Sequence, residues 1–136
     1  MIFESTIAYT TIDKNGNDKV VKVMNLHENA ALFGQVESIL YEEYGDMAGF
    51  EVLAIKISKA KEIANKKEGE EERAWIAEVQ DTFINDEGEE VEKNYKIYFF
   101  AETFDKAHAF IRNYIAQGYQ MQLVGLKRSK IQGVIG

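Results

Sequence analysis

Two stretches of this chain repeat each other, and a repeat commits both to the same local fold. Phe3–Ile12 reads FESTIAYTTI and Trp75–Ile84 reads WIAEVQDTFI. Each runs into a turn, Asp13-Lys14-Asn15-Gly16 in the first and Asn85-Asp86-Glu87-Gly88 in the second. The spacing between copies is 72 residues up to the turns. Beyond them Val20, Met24 and Leu26 match Val91, Tyr95 and Ile97 at a spacing of 71, which predicts a second hairpin loop one residue shorter. That spacing holds through Phe33, Val36, Ile39 and Leu40 against Phe104, Ala107, Phe110 and Ile111. It ends in Ile55-Lys56-x-Ser58-Lys59 against Leu126-Lys127-x-Ser129-Lys130.

Both copies carry the same patterning. Phe3, Ile7 and Tyr9 alternate with Glu4, Thr6 and Thr10, and Trp75, Val79 and Phe83 alternate with Glu78, Gln80 and Thr82. Period two predicts a half-buried strand, and the glycine turn leads into a second strand to make a hairpin. Helical spacing follows. Asn29 is the expected N-cap of a helix over 30–44, with Phe33, Val36, Leu40 and Tyr44 on one stripe and Gly45 after its end. Thr103 caps the corresponding helix over 104–117, with Asp105 in its first turn and Gly118 beyond it.

The fourth element reads as one long strand, 50–63 in copy one and 120–135 in copy two. Leu53, Ile55 and Ile57 would lie on one face, with Phe50, Val52 and Ala54 on the other. Apolar residues on both faces call for a second covering layer, either the other copy or another subunit. The predicted fold class is therefore α+β: a tandem duplication of a ββαβ unit, mostly antiparallel, with one helix per copy on one face. Copy one is expected over 1–64 and copy two over 74–136, the two forming one compact domain. The charged stretch 65–73 would be an exposed connection.

Composition narrows the function classes. The absence of cysteine removes disulfides, thiolate nucleophiles and cysteine-based metal sites. No apolar stretch approaches a membrane span, and Met1-Ile2-Phe3-Glu4-Ser5 does not open a signal peptide, so a cytoplasmic protein is expected. The histidines, His27 and His108, occupy non-equivalent places and are expected to be ordinary surface or partly buried side chains. None of Ser5, Ser38, Ser58 and Ser129 lies in a nucleophile elbow. No phosphate-cradling glycine loop is present, and Glu42-Glu43 and Glu70-Glu71-Glu72 read as solvated faces. These observations predict no catalytic residue, cofactor, metal or small-molecule substrate.

Charge is segregated despite a net −7. After Asp105 no acidic side chain occurs, whereas Lys106, Arg112, Lys127, Arg128 and Lys130 are all basic. Lys56, Lys59 and Lys61 occupy the matching strand of copy one. Lys56, Lys59, Lys61, Lys127, Arg128 and Lys130 are thus the candidate nucleic-acid-binding residues, with Tyr98, Tyr119 or Trp75 available to stack on bases. The competing reading is that these lysines blunt strand ends against aggregation and that the aromatics are core.

The aromatic copy starts Phe3 and Trp75, the Phe50-Glu51-Val52 run and Ile55-Lys56 resemble a family of small uncharacterised duplicated proteins. That family belongs to Bacteroidetes and their phages and mobile elements. The resemblance implies an intracellular accessory protein, in the host cytoplasm or associated with a virion, and assigns no catalytic residue. The expectation is a non-enzymatic binding protein for single-stranded nucleic acid. The alternative is a protein–protein module, such as a virion component or an inhibitor of a host protein, with a protein partner or a second copy.

Overall fold

The alternation at the two copy starts is realised as two long hairpins. In the computed structural model, which describes residues 1–117 and 121–136, the elements in chain order are β1 (Phe3–Ile12), β2 (Asp18–His27), α1 (Phe33–Tyr44), β3 (Glu51–Ile57), β4 (Ala60–Ile63), β5 (Arg73–Ile84), β6 (Glu90–Ala101), α2 (Phe104–Ile115), β7 (Met121–Arg128) and β8 (Ile131–Val134). They form two four-stranded sheets, ordered β3-β1-β2-β8 and β4-β6-β5-β7. All pairings are antiparallel except β2 with β8 and β4 with β6, which are parallel. The fold is α+β, as the patterning predicts.

The sheet orders overturn the single long fourth strand. Each copy's strand breaks after its Lys-x-Ser, into β3 and β4 in one and β7 and β8 in the other. The backbone N–H of Ser58 donates to Ile2 O at 2.8 Å and that of Ser129 to Ala74 O at 2.9 Å, closing the antiparallel ladders. Beyond these serines the chain leaves its own hairpin. β4 pairs with β6 of the other copy, and β8 pairs with β2 of the first. The copies therefore exchange their last strands. One compact unit comprises Met1–Ser58 with Ile131–Gly136, and the second comprises Lys59–Lys130, so neither boundary falls at the charged stretch.

The hairpins also correct the register of the repeat. Phe3 pairs with His27 and Trp75 with Phe99, so the spacing of 72 persists through β2 and β6. The two turns are alike: Gly16 and Gly88 both have φ of 79°, the left-handed conformation that favours glycine. Asp13 Oδ1 accepts N–H bonds from Asn15 and Asn17 at 2.9 Å, and Asn85 Oδ1 accepts from Glu87 at 3.0 Å and Glu89 at 2.9 Å. Neither hairpin loop is shorter. The missing residue lies between strand and helix, from His27 to Phe33 against Phe99 to Phe104. In true register Ser5, Asn25 and His27 correspond to Ala77, Ile97 and Phe99.

Each helix packs on its own hairpin. Val36 and Leu40 of α1 meet Phe3, Ile7 and Val23 in the first unit. Ala107, Ile111 and Ile115 of α2 meet Trp75, Ala77, Val79, Ile97 and Phe99 in the second. Each large buried side chain contributes about 1.5–3 kcal/mol. α1 starts later than the sequence suggests. The Asn29 N–H donates to Gly136 O at 2.9 Å, and Gln35 Oε1 serves the helix start by accepting from Ala31 N at 2.6 Å and Leu32 N at 3.1 Å. Thr103 caps α2 as expected, its Oγ1 accepting from Lys106 N at 3.2 Å, and α2 ends at Ile115. Gly118 and Gln120 lie outside the described residues.

β3 and β7 are not covered on both faces. Each is an edge strand with a bulge at the same place, between Thr6 and Ile7 on one partner and between Glu78 and Val79 on the other. The extra residue, Leu53 or Val124, is pushed outward and left 42% or 50% exposed. Phe50, Val52 and Ile55 all turn to the core side as a result. The start of the charged connection is also tied down: Asn65 donates to Phe100 O at 3.1 Å and accepts from Phe100 N at 2.7 Å.

Candidate functional site

Of the six basic candidates, Lys56 lies in the first unit and the other five in the second. Lys56 reaches the largely buried Glu4 at 3.9 Å, and its charge is partly answered there. Within the second unit the candidates divide between the two edges of the sheet. Lys59 and Lys61 flank the start of β4; Lys127 and Arg128 end β7, with Lys130 just beyond. Strands β6 and β5 lie between, so the two groups stand about 14 Å apart at ordinary strand spacing.

Two of these cations rest on aromatic rings. Lys61 Nζ sits 4.2 Å from the centre of the Tyr95 ring, and the Arg128 guanidinium 5.9 Å from that of Trp75. Lys59, Lys127 and Lys130 are exposed. The base-stacking candidates fare worse. Trp75 is buried and donates its indole N–H to Ala101 O at 2.9 Å, and Tyr98 is buried as well. Both are core, and Tyr119 lies outside the described residues. The repeated Lys-x-Ser-Lys is first of all a strand exit, and the serine's backbone is what the exit uses.

The structure also builds polar clusters that the sequence reading missed. Ser5 Oγ lies 2.7 Å from His27 Nε2, and His27 Nδ1 lies 2.6 Å from the carbonyl oxygen of Ile135. A carbonyl can only accept, so Nδ1 carries the proton and Nε2 accepts from the Ser5 hydroxyl. This is the bond a serine nucleophile makes to its base. With Ser5 at 1% exposure and His27 at 0%, however, no substrate can reach it, and the pair serves to hold the β8 segment on β2. Burial pushes the His27 ring below the ordinary histidine value, outweighing the bond to Ile135. Asn25, beside them, donates to the Tyr44 hydroxyl at 2.9 Å.

The second unit anchors its borrowed strand differently. Tyr114 of α2 donates its hydroxyl to Glu62 of β4 at 2.5 Å, and that bond, with burial, pushes the phenol up to about 12. Burial, followed by the carboxylates of Asp81 and Glu62, also raises Tyr95. His108 is exposed and stacks on Phe104, centroids 6.1 Å apart. Among the described residues no group of three His, Asp or Glu could hold a metal ion, and no helix is long and apolar enough to cross a membrane.

A family model described as a domain of unknown function, DUF4494, matches residues 1–136. The chain belongs to the DUF4494 family. No curated protein and no solved structure matches it. The match spans both compact units and both exchanged strands, so the DUF4494 domain is the whole exchanged pair rather than one copy of the repeat.

Proposed function

We propose that this DUF4494 protein is a non-enzymatic accessory binding protein of the phage or mobile-element type, acting in the bacterial cytoplasm. Its ligand in this reading is single-stranded nucleic acid, held through the basic side chains of the second unit. The observation that carries the reading is electrostatic. Lys59, Lys127 and Lys130 are exposed and, among the described residues, make no ion pair, in a chain of net charge −7. Unneutralised cations in an acidic protein are where an anionic polymer would settle. Burial of Trp75 and Tyr98 takes those two rings out of base stacking, so the contact in this reading is to phosphate, which carries little sequence preference.

Binding to a labelled oligothymidylate is expected at ~50 mM salt, with the log of affinity falling against the log of salt by about 0.7 for each phosphate neutralised. Lys127→Glu combined with Lys130→Glu should abolish it. Fluorescence anisotropy showing no binding to any single-stranded oligonucleotide at that salt would end this reading.

A separate observation favours the protein-partner reading. β3 and β7 are open edges on which Leu53, Ile57 and Val124 are exposed. Exposed apolar edge strands are templates for pairing with another chain. If a second copy of this protein is that chain, light scattering should give a mass rising with concentration, and Leu53→Lys with Val124→Lys should return it to monomer. A constant monomer mass across the range would discard the reading.

A further inference from the structure

Five residues of the second sheet's outer face, Ile76, Glu78, Lys96, Gly125 and Lys127, line a recess of about 230 Å³ together with Leu126. They alternate with Ala77 and Ile97, which face α2. The register aligns Lys96, Glu78 and Gly125 across β6, β5 and β7, and sets Lys127 opposite Ile76. Gly125 makes the space. A Cβ built there would lie 3.5 Å from Glu78 Cβ and 3.7 Å from Glu78 Oε2, so the carboxylate hangs over the glycine. A glycine inside a strand marks a bulge or a close approach by another group, and Gly125 both adjoins the bulge at Val124 and leaves open space beside Glu78.

The charge pattern is specific to this unit. The corresponding positions in the first unit are Glu4, Thr6, Met24, Ala54 and Lys56, which offer one lysine instead of two. Lys96 is partly buried on an inner strand, directly across from Glu78. Among the described residues neither Lys96 nor Lys127 is ion-paired, although Glu78 lies beside both.

We propose that Lys96 and Lys127 form the seat for one phosphate group of the single strand, with Glu78 as an internal anion that the phosphate displaces. The inference rests on the nucleic-acid reading above and names its point of contact. Two ammonium groups and a carboxylate leave a single positive charge. Incoming phosphate takes the position over Gly125, and the exposed Glu78 side chain swings into water. A phosphodiester and a free phosphorylated small molecule offer the same chemistry, and the test separates them.

Anisotropy with a labelled oligothymidylate of about 12 nucleotides covers the usual site size. Lys96→Met should weaken binding about tenfold, as loss of a charge-assisted hydrogen bond does, and lower the salt slope by about 0.7. Gly125→Val, which fills the recess at constant charge, should also weaken it. Glu78→Gln should tighten binding several-fold, a gain that misfolding cannot mimic. Lys93→Met, exposed further along β6, should change nothing. Native binding that is indifferent to Lys96→Met and Glu78→Gln overturns the seat and leaves the nucleic-acid reading standing. If no oligonucleotide binds, that reading falls. In that case, inorganic phosphate shifting the Gly125 amide resonance in the native protein but not in Lys96→Met assigns the seat to small phosphorylated ligands, and no shift overturns the seat as well.

Discussion

Residues 1–64 and 74–136, made as separate chains, should each fail to fold cooperatively, and mixing them should restore a cooperative melt. A tandem of self-sufficient ββαβ units would behave in the opposite way. The exchange of last strands is the reason. Without β8 the first sheet loses the partner of β2 along Met24, Asn25 and Leu26. It also loses the acceptor of His27 at Ile135 and the bond from Ile135 N to Leu26 O at 2.9 Å. Without β4 the second sheet loses its partner for Lys96, Ile97 and Tyr98, together with the Glu62 carboxylate that Tyr114 bonds. Several buried polar groups are then unsatisfied at about 1–3 kcal/mol each, which exhausts the 5–15 kcal/mol that holds a typical domain. Circular dichroism melts of each half and of the mixture are the measurement. Two halves with sharp independent transitions equal to that of the intact chain would show that the exchanged strands are dispensable.

The second large effect centres on His27. Ser5→Ala leaves the Nε2 lone pair buried and unanswered, and should cost about 1–3 kcal/mol. His27→Ala opens a cavity and strips Ser5 and Ile135 of their partner, and should cost about 2–5 kcal/mol. The other unit supplies the control. Ser5→Ala, Asn25→Ile and His27→Phe together reproduce Ala77, Ile97 and Phe99, and should recover part of the loss, because Ser5 and His27 no longer strand each other while the Ile135 carbonyl and the Tyr44 hydroxyl still lose a donor. Acid should act on the same pair. The folded pKa of His27 is lowered, so the unfolded chain binds the proton more readily. The stability contributed by neutral His27 is complete above the unfolded value of about 6.5 and is lost as pH falls from there through the folded value. Urea midpoints between pH 7.5 and pH 5 should fall for the native chain and fall less for the triple variant. Parallel slopes would remove His27 from the acid response.

The repeat, the hairpins, the Thr103 cap and the α+β class are legible in the residues because each has a local physical signature. Register was not. Matching Met24 to Tyr95 and Leu26 to Ile97 pairs apolar with apolar, but a one-residue slip turns every side chain to the opposite face. The true alignment sets Asn25 and His27 against Ile97 and Phe99, a polar-for-apolar match that composition disfavours. The turns held the missing signal: Asp13 and Asn85 open loops that both place glycine three residues later. Strand exchange leaves no local trace, since β4 and β8 have the same pattern whichever sheet receives them. Lys96 escaped notice because it lies outside the repeated Lys-x-Ser-Lys and gains its setting only from Gly125 across the sheet.

The bond from His27 to Ile135 spans 108 positions, whereas Asn65 and Phe100 are 35 apart. Closing the longer span costs about 1 kcal/mol more in chain entropy, and on the ribosome it must also wait. The second unit has its borrowed strand in hand before its own hairpin is made. The first must hold a bare β2 edge until residues 131–136 emerge. A nascent chain stalled between β2 and that point carries this additional raw edge, and it is there that a chaperone or a protease would find it.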